Sequence, residues 1–408
     1  MKKVLSIVIL AIVLLGWFAQ RDDELSEQAT QLISRLEADT GSASYLYLYG
    51  IYAKESENPE QVGRRLLAEY QKSVADESYE FVAYPDSDRL PLPRGEAFCR
   101  SWEDGCLEYL FSSEIDADAL LAENKMLVFR SNKFHEFNEY KTLSEPTVSE
   151  IYPPYQYITA AERIKTIEAI SFYKNGDARK ALDSLSGQLM TLRKSMELQD
   201  NLVGKMVFLM KLSEILDVSS VILANENIRA ENIPSLSESE KSFYMIVARE
   251  FGMSYHTIQS LDKNPEFFEE DANFPGWITR MLYKPNMTIN AVTPIYIRLE
   301  RLARLSPSEL VKQFAAEKAF KPSTSKIRNY IGAVLIELSP DFDEYVARFS
   351  DLEAKLALYN QVHNLQLKPG VMHNPYYGNE TPEEVDGSLC FSGPLEDKKR
   401  LRCLRVKL

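Results

Sequence analysis

The sequence predicts an all-α body of stacked antiparallel helical hairpins, with a solenoid-like stack as the open alternative. A small C-terminal β-hairpin closes the chain and an N-terminal membrane helix precedes the body. Three observations predict this. Apolar residues recur at helical spacing through segment after segment. Glycine is scarce, at 16 of 408 residues against a usual share of about 7 %, which disfavours β-rich folds, Rossmann turns and phosphate-cradling loops. An unbroken apolar run from Val4 to Ala19 follows Lys2 and Lys3 and is closed by Gln20, Arg21, Asp22, Asp23 and Glu24.

That first segment reads as an address, with the lysines held on the cytoplasmic side and the remaining chain delivered across the membrane. Signal peptidase needs small residues at −1 and −3. Cutting after Ala19 would place Trp17 at −3, and cutting after Gly16 would place Leu14 there. The expectation is therefore an uncleaved signal-anchor over residues 1–20, single-pass in the inner membrane, with the bulk of the chain periplasmic. Secretion after signal cleavage is the alternative. Trp17 and Phe18 suit the interfacial aromatic belt.

Beyond the anchor, three regions follow: an N-terminal helical region over 21–150, a main helical domain over 151–366, and an irregular C-terminal region over 367–408. Asp23 to Ala38 carries the stripe Leu25, Ala29, Leu32, Ile33 and Leu36. Tyr45 to Lys54 and Pro59 to Lys72 form a helical pair, the second opened by Asn58 and Pro59 as cap and first residue. Asp116 to Phe137 reads as one long helix. Tyr152-Pro153-Pro154-Tyr155 marks the internal boundary, because two prolines force extended backbone. Helices then run over Tyr157 to Lys174, Asp177 to Leu198, Asp200 to Ala224, and Ser237 to Phe251, with Ser237 and Glu240 as a capping box. After an acidic loop from Asn264 to Gly276 come Thr288 to Leu305, Pro307 to Ala319, Ile327 to Leu338 and Phe342 to Leu365.

Ala169-Ile170-Ser171-Phe172-Tyr173-Lys174-Asn175-Gly176-Asp177, running into Ala181-Leu182, resembles the turn of a tetratricopeptide repeat. The likeness covers about residues 169–185 and no repeat period of that family follows it. It implies a helical hairpin, and stacked hairpins of this kind present curved binding surfaces.

Composition bounds the function. Without Lys2 and Lys3 the chain has 45 basic against 60 acidic residues, a net charge of −15, which repels phosphate backbones and excludes nucleic acid as a partner. No cofactor motif is present. The four histidines, His135, His256, His363 and His373, have no metal-ligand spacing. Ser323-Thr324-Ser325-Lys326 resembles the Ser-x-x-Lys motif of penicillin-binding proteins and serine β-lactamases, and Tyr377-Gly378-Asn379 a second motif of one such class. Too little chain follows for that fold, so the expectation is a helix cap at Ser323. Cys99 with Cys106 and Cys390 with Cys403 form two close pairs, which in an oxidising compartment predict two local disulfides.

Two surface features suggest contact with a partner. The stretch holding Phe267, Phe268, Glu269, Glu270 and Trp277 interleaves aromatics with carboxylates, and the alternative is a core plug. The tail holds Lys398, Lys399, Arg400, Arg402, Arg405 and Lys407, which are expected to dock onto the chain's own acidic surface, with anionic lipid or a partner as the alternatives. The expected function is a membrane-tethered extracytoplasmic helical scaffold or assembly factor that binds another envelope protein. A glycan-acting envelope hydrolase using carboxylates is the second reading. If the anchor is uncleaved, the protein in membranes begins at Met1 and resists carbonate extraction; a soluble form beginning near Gln20 overturns this.

Overall fold

The structure, a computed structural model, describes residues 16, 20–36, 41–76, 84–226, 228–264, 266–269, 275–316, 322–339, 341–363 and 371–408. The expected anchor lies almost wholly outside the described residues. Among the described residues no helix is long and apolar enough to cross a membrane.

The body is helical with a small C-terminal sheet region. Helix α1 (Glu27–Ser34) is shorter than its apolar stripe suggested, because Ser26 accepts from the Ala29 N–H at 3.2 Å and fixes the start there. The residues before it serve another helix. The Asp22 carboxylate accepts from the N–H groups of Asn286 and Met287 at 2.8 and 3.1 Å, capping α13 (Pro285–Ala303). Helices α2 (Ala43–Tyr49) and α3 (Pro59–Ala75) form the expected pair with Asn58 as cap. They cross so closely that a Cβ on Gly63 would overlap the Leu46 carbonyl. Glycine is required there by contact, not by dihedral freedom.

The segment predicted as one helix from Asp116 to Phe137 is two helices. Following α4 (Cys106–Ser112), helices α5 (Ala117–Glu123) and α6 (Lys125–His135) are separated by Asn124. Its side-chain amide donates to the Leu120 carbonyl at 2.8 Å, a local bond that competes with helix continuation. From α6, the buried Arg130 guanidinium donates to the carbonyls of Ile51, Lys54 and Glu57 at 2.8–3.2 Å, satisfying the loop between α2 and α3.

Helices α7 (Tyr155–Lys174), α8 (Ala178–Leu198) and α9 (Leu202–Glu226) follow one another through tight reversals. Gly176 sits at φ +87° and Asp177 accepts from the Lys180 N–H at 3.0 Å, so the hairpin implied by the tetratricopeptide-like turn is present at that turn. Asp200, between α8 and α9, accepts from both the N–H and hydroxyl of Thr142, and Tyr155 hydrogen-bonds Tyr140 at 2.8 Å. One apolar cluster runs from Ala29 to Leu404.

The Ser237–Glu240 capping box forms, with reciprocal bonds of 2.7 and 3.2 Å, but it closes a turn and not a helix. Arg193 holds Glu240 at 2.5 and 2.7 Å, and α10 (Tyr244–Leu261) begins only after that turn. The short helices α11 (Glu266–Glu269) and α12 (Gly276–Met281) precede α13, α14 (Pro307–Ala316), α15 (Tyr330–Glu337) and α16 (Asp343–His363). Two small antiparallel sheets end the chain. In the first, β1 (Met372–Asn374) pairs with β2 (Gly378–Glu380); in the second, β3 (Glu383–Val385), β4 (Ser388–Cys390) and β5 (Cys403–Arg405) pair in sequence order.

Both predicted disulfides are present, with Cα–Cα distances of 5.8 Å for Cys99–Cys106 and 4.0 Å for Cys390–Cys403. Leu389, Phe391, Leu401 and Leu404 are buried in the main cluster. The sheet therefore docks through apolar contacts, while Lys398 reaches Glu344 at 3.8 Å with both side chains largely in solvent. Burial of that kind is worth about 2–5 kcal/mol per truncated side chain, against about 0–1 kcal/mol for an exposed ion pair. Denaturant unfolding should accordingly show Phe391→Ala with Leu404→Ala destabilising the body several times more than Lys398→Gln with Lys399→Gln. The reverse order would mean that charge holds the tail.

Candidate functional site

Helix α9 is buried on nearly every side, yet one stripe stays open. Val203, Met206, Val207 and Met210, spaced i, i+3, i+4 and i+7, face a groove that no described element fills, and Val203 remains 39 % exposed. The groove has two basins. One, of about 750 Å³, is walled by Met253 of α10, by Phe342 and Tyr345 at the start of α16, and by the disulfide loop through Phe98 and Trp102. The other, of about 870 Å³, is walled by Tyr49, Tyr52, Tyr70, Tyr84, Tyr155 and Tyr157. Tyr152, Gln156, Thr159, Val203 and Val207 line both, so the basins are continuous along α7 and α9.

The floor of the first basin carries buried charge. Arg163 of α7 binds Glu214 of α9 through two contacts of 2.9 Å, and Lys211 reaches the same carboxylate at 2.7 Å. Burial would raise the Glu214 carboxyl, but the two cations outweigh it and hold it below the usual range. Arg163 also donates to the Cys99 carbonyl at 2.9 Å, which ties the disulfide loop to the floor. The loop is steadied from the other side by Lys399, whose ammonium lies 4.6 Å from the Trp102 ring centroid.

A different carboxyl in this basin is perturbed upward. Burial pushes Glu250 of α10 up to about 7, Arg249 opposes the rise, and Glu150 adds to it. Arg249 is itself committed to Glu150 at 2.5 Å. The groove thus holds one carboxyl whose titration is shifted up towards neutrality and one that is fixed as a salt-bridged anion.

The residues singled out by sequence fall elsewhere. Phe268 is buried against Tyr283, with ring centroids 5.6 Å apart, while Phe267 is half-buried and Trp277 is exposed. The Glu269 side chain and Glu270 lie outside the described residues. In the tail, Arg402 turns inward to Asp351 at 2.8 Å and is buried, Arg400 pairs with Asp104 at 2.8 Å, and Arg405 pairs with Glu108. These arginines are therefore paired within the chain. Ser323 does not cap a helix: α15 starts at Tyr330 with Asn329 as its cap, and Lys326 lies on the surface 3.7 Å from Glu337. The one-turn geometry that the Ser-x-x-Lys resemblance implies is therefore missing.

His135 lies 2.7 Å from Ser195 and 3.1 Å from Glu162, the residue types of a serine–histidine–acid relay. All three are buried, Gln188 and Ser131 also bind Glu162, and neither basin of the groove touches them. The arrangement satisfies buried polar groups between α6, α7 and α8. Among the described residues no group of three or more His, Cys, Asp or Glu is placed to hold a metal ion.

The groove went unread in the sequence because α9 has no separate polar face, its few charged residues being buried among apolar ones, so nothing distinguished the open stripe from the covered faces. The pairing of Met206 with Met210 was the available signal. No family model, curated protein or solved structure matches the chain.

Glu250 gives a pH signature. An unfolded chain releases this proton near 4.5, whereas the native groove holds it to about 7. The native state therefore binds more protons between those values, and stability falls as pH rises through that window. Glu250→Gln should be more stable than the parent above about pH 7, by on the order of 1–3 kcal/mol allowing for solvent access. The gain should vanish below about pH 4.5. Urea unfolding at several pH values measures it, and a pH-independent difference would show that Glu250 titrates as an ordinary glutamate.

Proposed function

We propose that the protein is a membrane-tethered, extracytoplasmic helical scaffold that binds a segment of another envelope protein in this groove. The observation that carries the reading is the open stripe Val203, Met206, Val207 and Met210 on an otherwise buried helix. A stripe with that spacing receives an apolar helical or extended segment, and methionine adapts its shape to the side chains it meets. The tyrosine wall of the second basin offers broad contact with little rotamer loss. Two disulfides and an apolar N-terminal run agree with an oxidising compartment outside the cytoplasm.

The hydrolase reading has one observation in its favour, the raised carboxyl of Glu250. Glycoside cleavage needs a second free carboxylate as base or nucleophile. Glu214, in the same basin, is already bound by Arg163 and Lys211, so the binding role is preferred.

A photo-crosslinking residue at Met206 should capture the same protein reproducibly in intact envelopes. Val207→Glu, which places a charge in the stripe, should reduce that capture by about tenfold or more, consistent with loss of a central apolar anchor, while melting stays unchanged. Glu250→Gln should leave capture intact. Capture unaffected by Val207→Glu would sink the scaffold reading, and loss of glycan cleavage on Glu250→Gln would favour the hydrolase.

A further inference from the structure

A second apolar surface lies where the chain leaves the described body towards its N-terminus. On α15 and its C-cap, Tyr330, Val334 and Leu338 fall on one face at spacings of four, Ile327 lies in the turn before the Asn329 cap, and all are exposed: Ile327 by 86 % and Leu338 by 75 %. On α12, Trp277 and Met281 sit one turn apart, with Trp277 65 % exposed. The two helices meet, because the Ile331 N–H donates to the Leu282 carbonyl at 3.2 Å and the Lys284 N–H to Asn329 at 2.9 Å. Six large apolar side chains thus form one exposed surface, more than the scattered single residues common on soluble proteins.

The position of the outgoing chain names the occupant. Gln20 donates to the Met281 sulfur at 3.7 Å, and Arg328, just before α15, donates to the Arg21 carbonyl at 2.7 Å and to Asp23 at 3.1 Å. Residues 20–23 are therefore fastened to the rim of this surface, and the apolar run of residues 4–19 adjoins them in sequence. A chain that enters a bilayer at residue 19 holds α12 and α15 within a few ångströms of the lipid headgroups. A tryptophan and a tyrosine on that face match the chemistry of the interface.

We propose that the α12–α15 face rests on the outer surface of the same bilayer, inserting Trp277, Ile327, Tyr330 and Leu338 into the headgroup region. The proposal rests on the membrane-tether part of the functional reading. Charges beside the face are matched in sign: Lys326 lies 3.7 Å from Glu337, and Arg280 lies 3.7 Å from Asp262. The lipid contact is therefore apolar and does not require anionic headgroups, unlike a polybasic patch. It also fixes the tilt of the body relative to the membrane.

The test uses the full chain with Trp17→Phe and Trp102→Phe, so that Trp277 is the remaining tryptophan, reconstituted in zwitterionic phosphatidylcholine vesicles. Lipids brominated near the headgroup should quench Trp277 emission by about twofold, and more than lipids brominated at the chain ends, as an interfacial depth requires. Adding Ile327→Glu and Leu338→Glu should abolish most of the quenching at unchanged circular dichroism, and raised salt should not. Carbonate extraction of the same vesicles reads the tether separately. Quenching in a chain that carbonate releases upholds the face and overturns the tether alone. An unquenched Trp277 in a carbonate-resistant chain overturns the face. Trp277 shielded from lipid but crosslinked to a second copy, or to residues 4–19, also overturns it and names the true occupant.

Discussion

Everything in the body is arranged around the burial of charge in α9. A helix enclosed on nearly all sides has little solvent-facing surface for its polar residues, so Lys205, Glu214 and Asp217 take partners from neighbouring segments while Lys211 pairs with Glu214 on the helix itself. Lys205 reaches the Ser242 carbonyl at 2.7 Å, and burial lowers its ammonium to about 8. Glu214 takes Arg163 from α7, and Asp217 takes Lys355 from α16 at 2.6 Å and the Arg405 N–H from β5 at 3.0 Å. One turn further on, Ser220 meets His363 at 2.8 Å. Burial pushes Asp217 upward and Lys355 opposes it. Hydrophobic contact alone would let helices slide against one another. These directional bonds set the register of α7, α16 and β5 on one axis.

The same arrangement explains why a groove persists in a well-packed interior. Arg163 spends its donors on Glu214 and on the disulfide loop, so the loop is held as a wall and does not collapse across the open stripe of α9. The opposite wall is α10, where Arg249 is taken by Glu150. Glu250, its sequence neighbour, is raised chiefly by its burial, which Arg249 only partly offsets and Glu150 reinforces.

Much of this was legible in the residues. Asn58, Asp177, Pro59 and the spacing of apolar positions mark helix starts because caps act locally, and the two cysteine pairs are close enough in sequence to identify each other. The failures have equally local causes. Asn124 breaks a periodic segment through a side-chain bond that periodicity does not register. Ser237 and Glu240 make a capping box recruited by Arg193 for a turn. The tail cations are legible as a cluster, but the carboxylates that receive them, Asp104, Glu108 and Asp351, lie far away in sequence and cannot be named from it. The groove is harder still, because exposure of one stripe on a helix without a polar face depends on what the other helices leave uncovered.

The clasp between the two ends of the groove wall has a consequence for timing. Trp102 is laid down early in the chain, whereas Lys399, which steadies it, and Arg405, which completes the Asp217 site, are among the last ten residues. A polypeptide made from its N-terminus therefore forms the open stripe of α9 before the residues that steady the wall beside it. The wall thus depends on contacts that close across a long stretch of chain, which makes its completion a late step in folding.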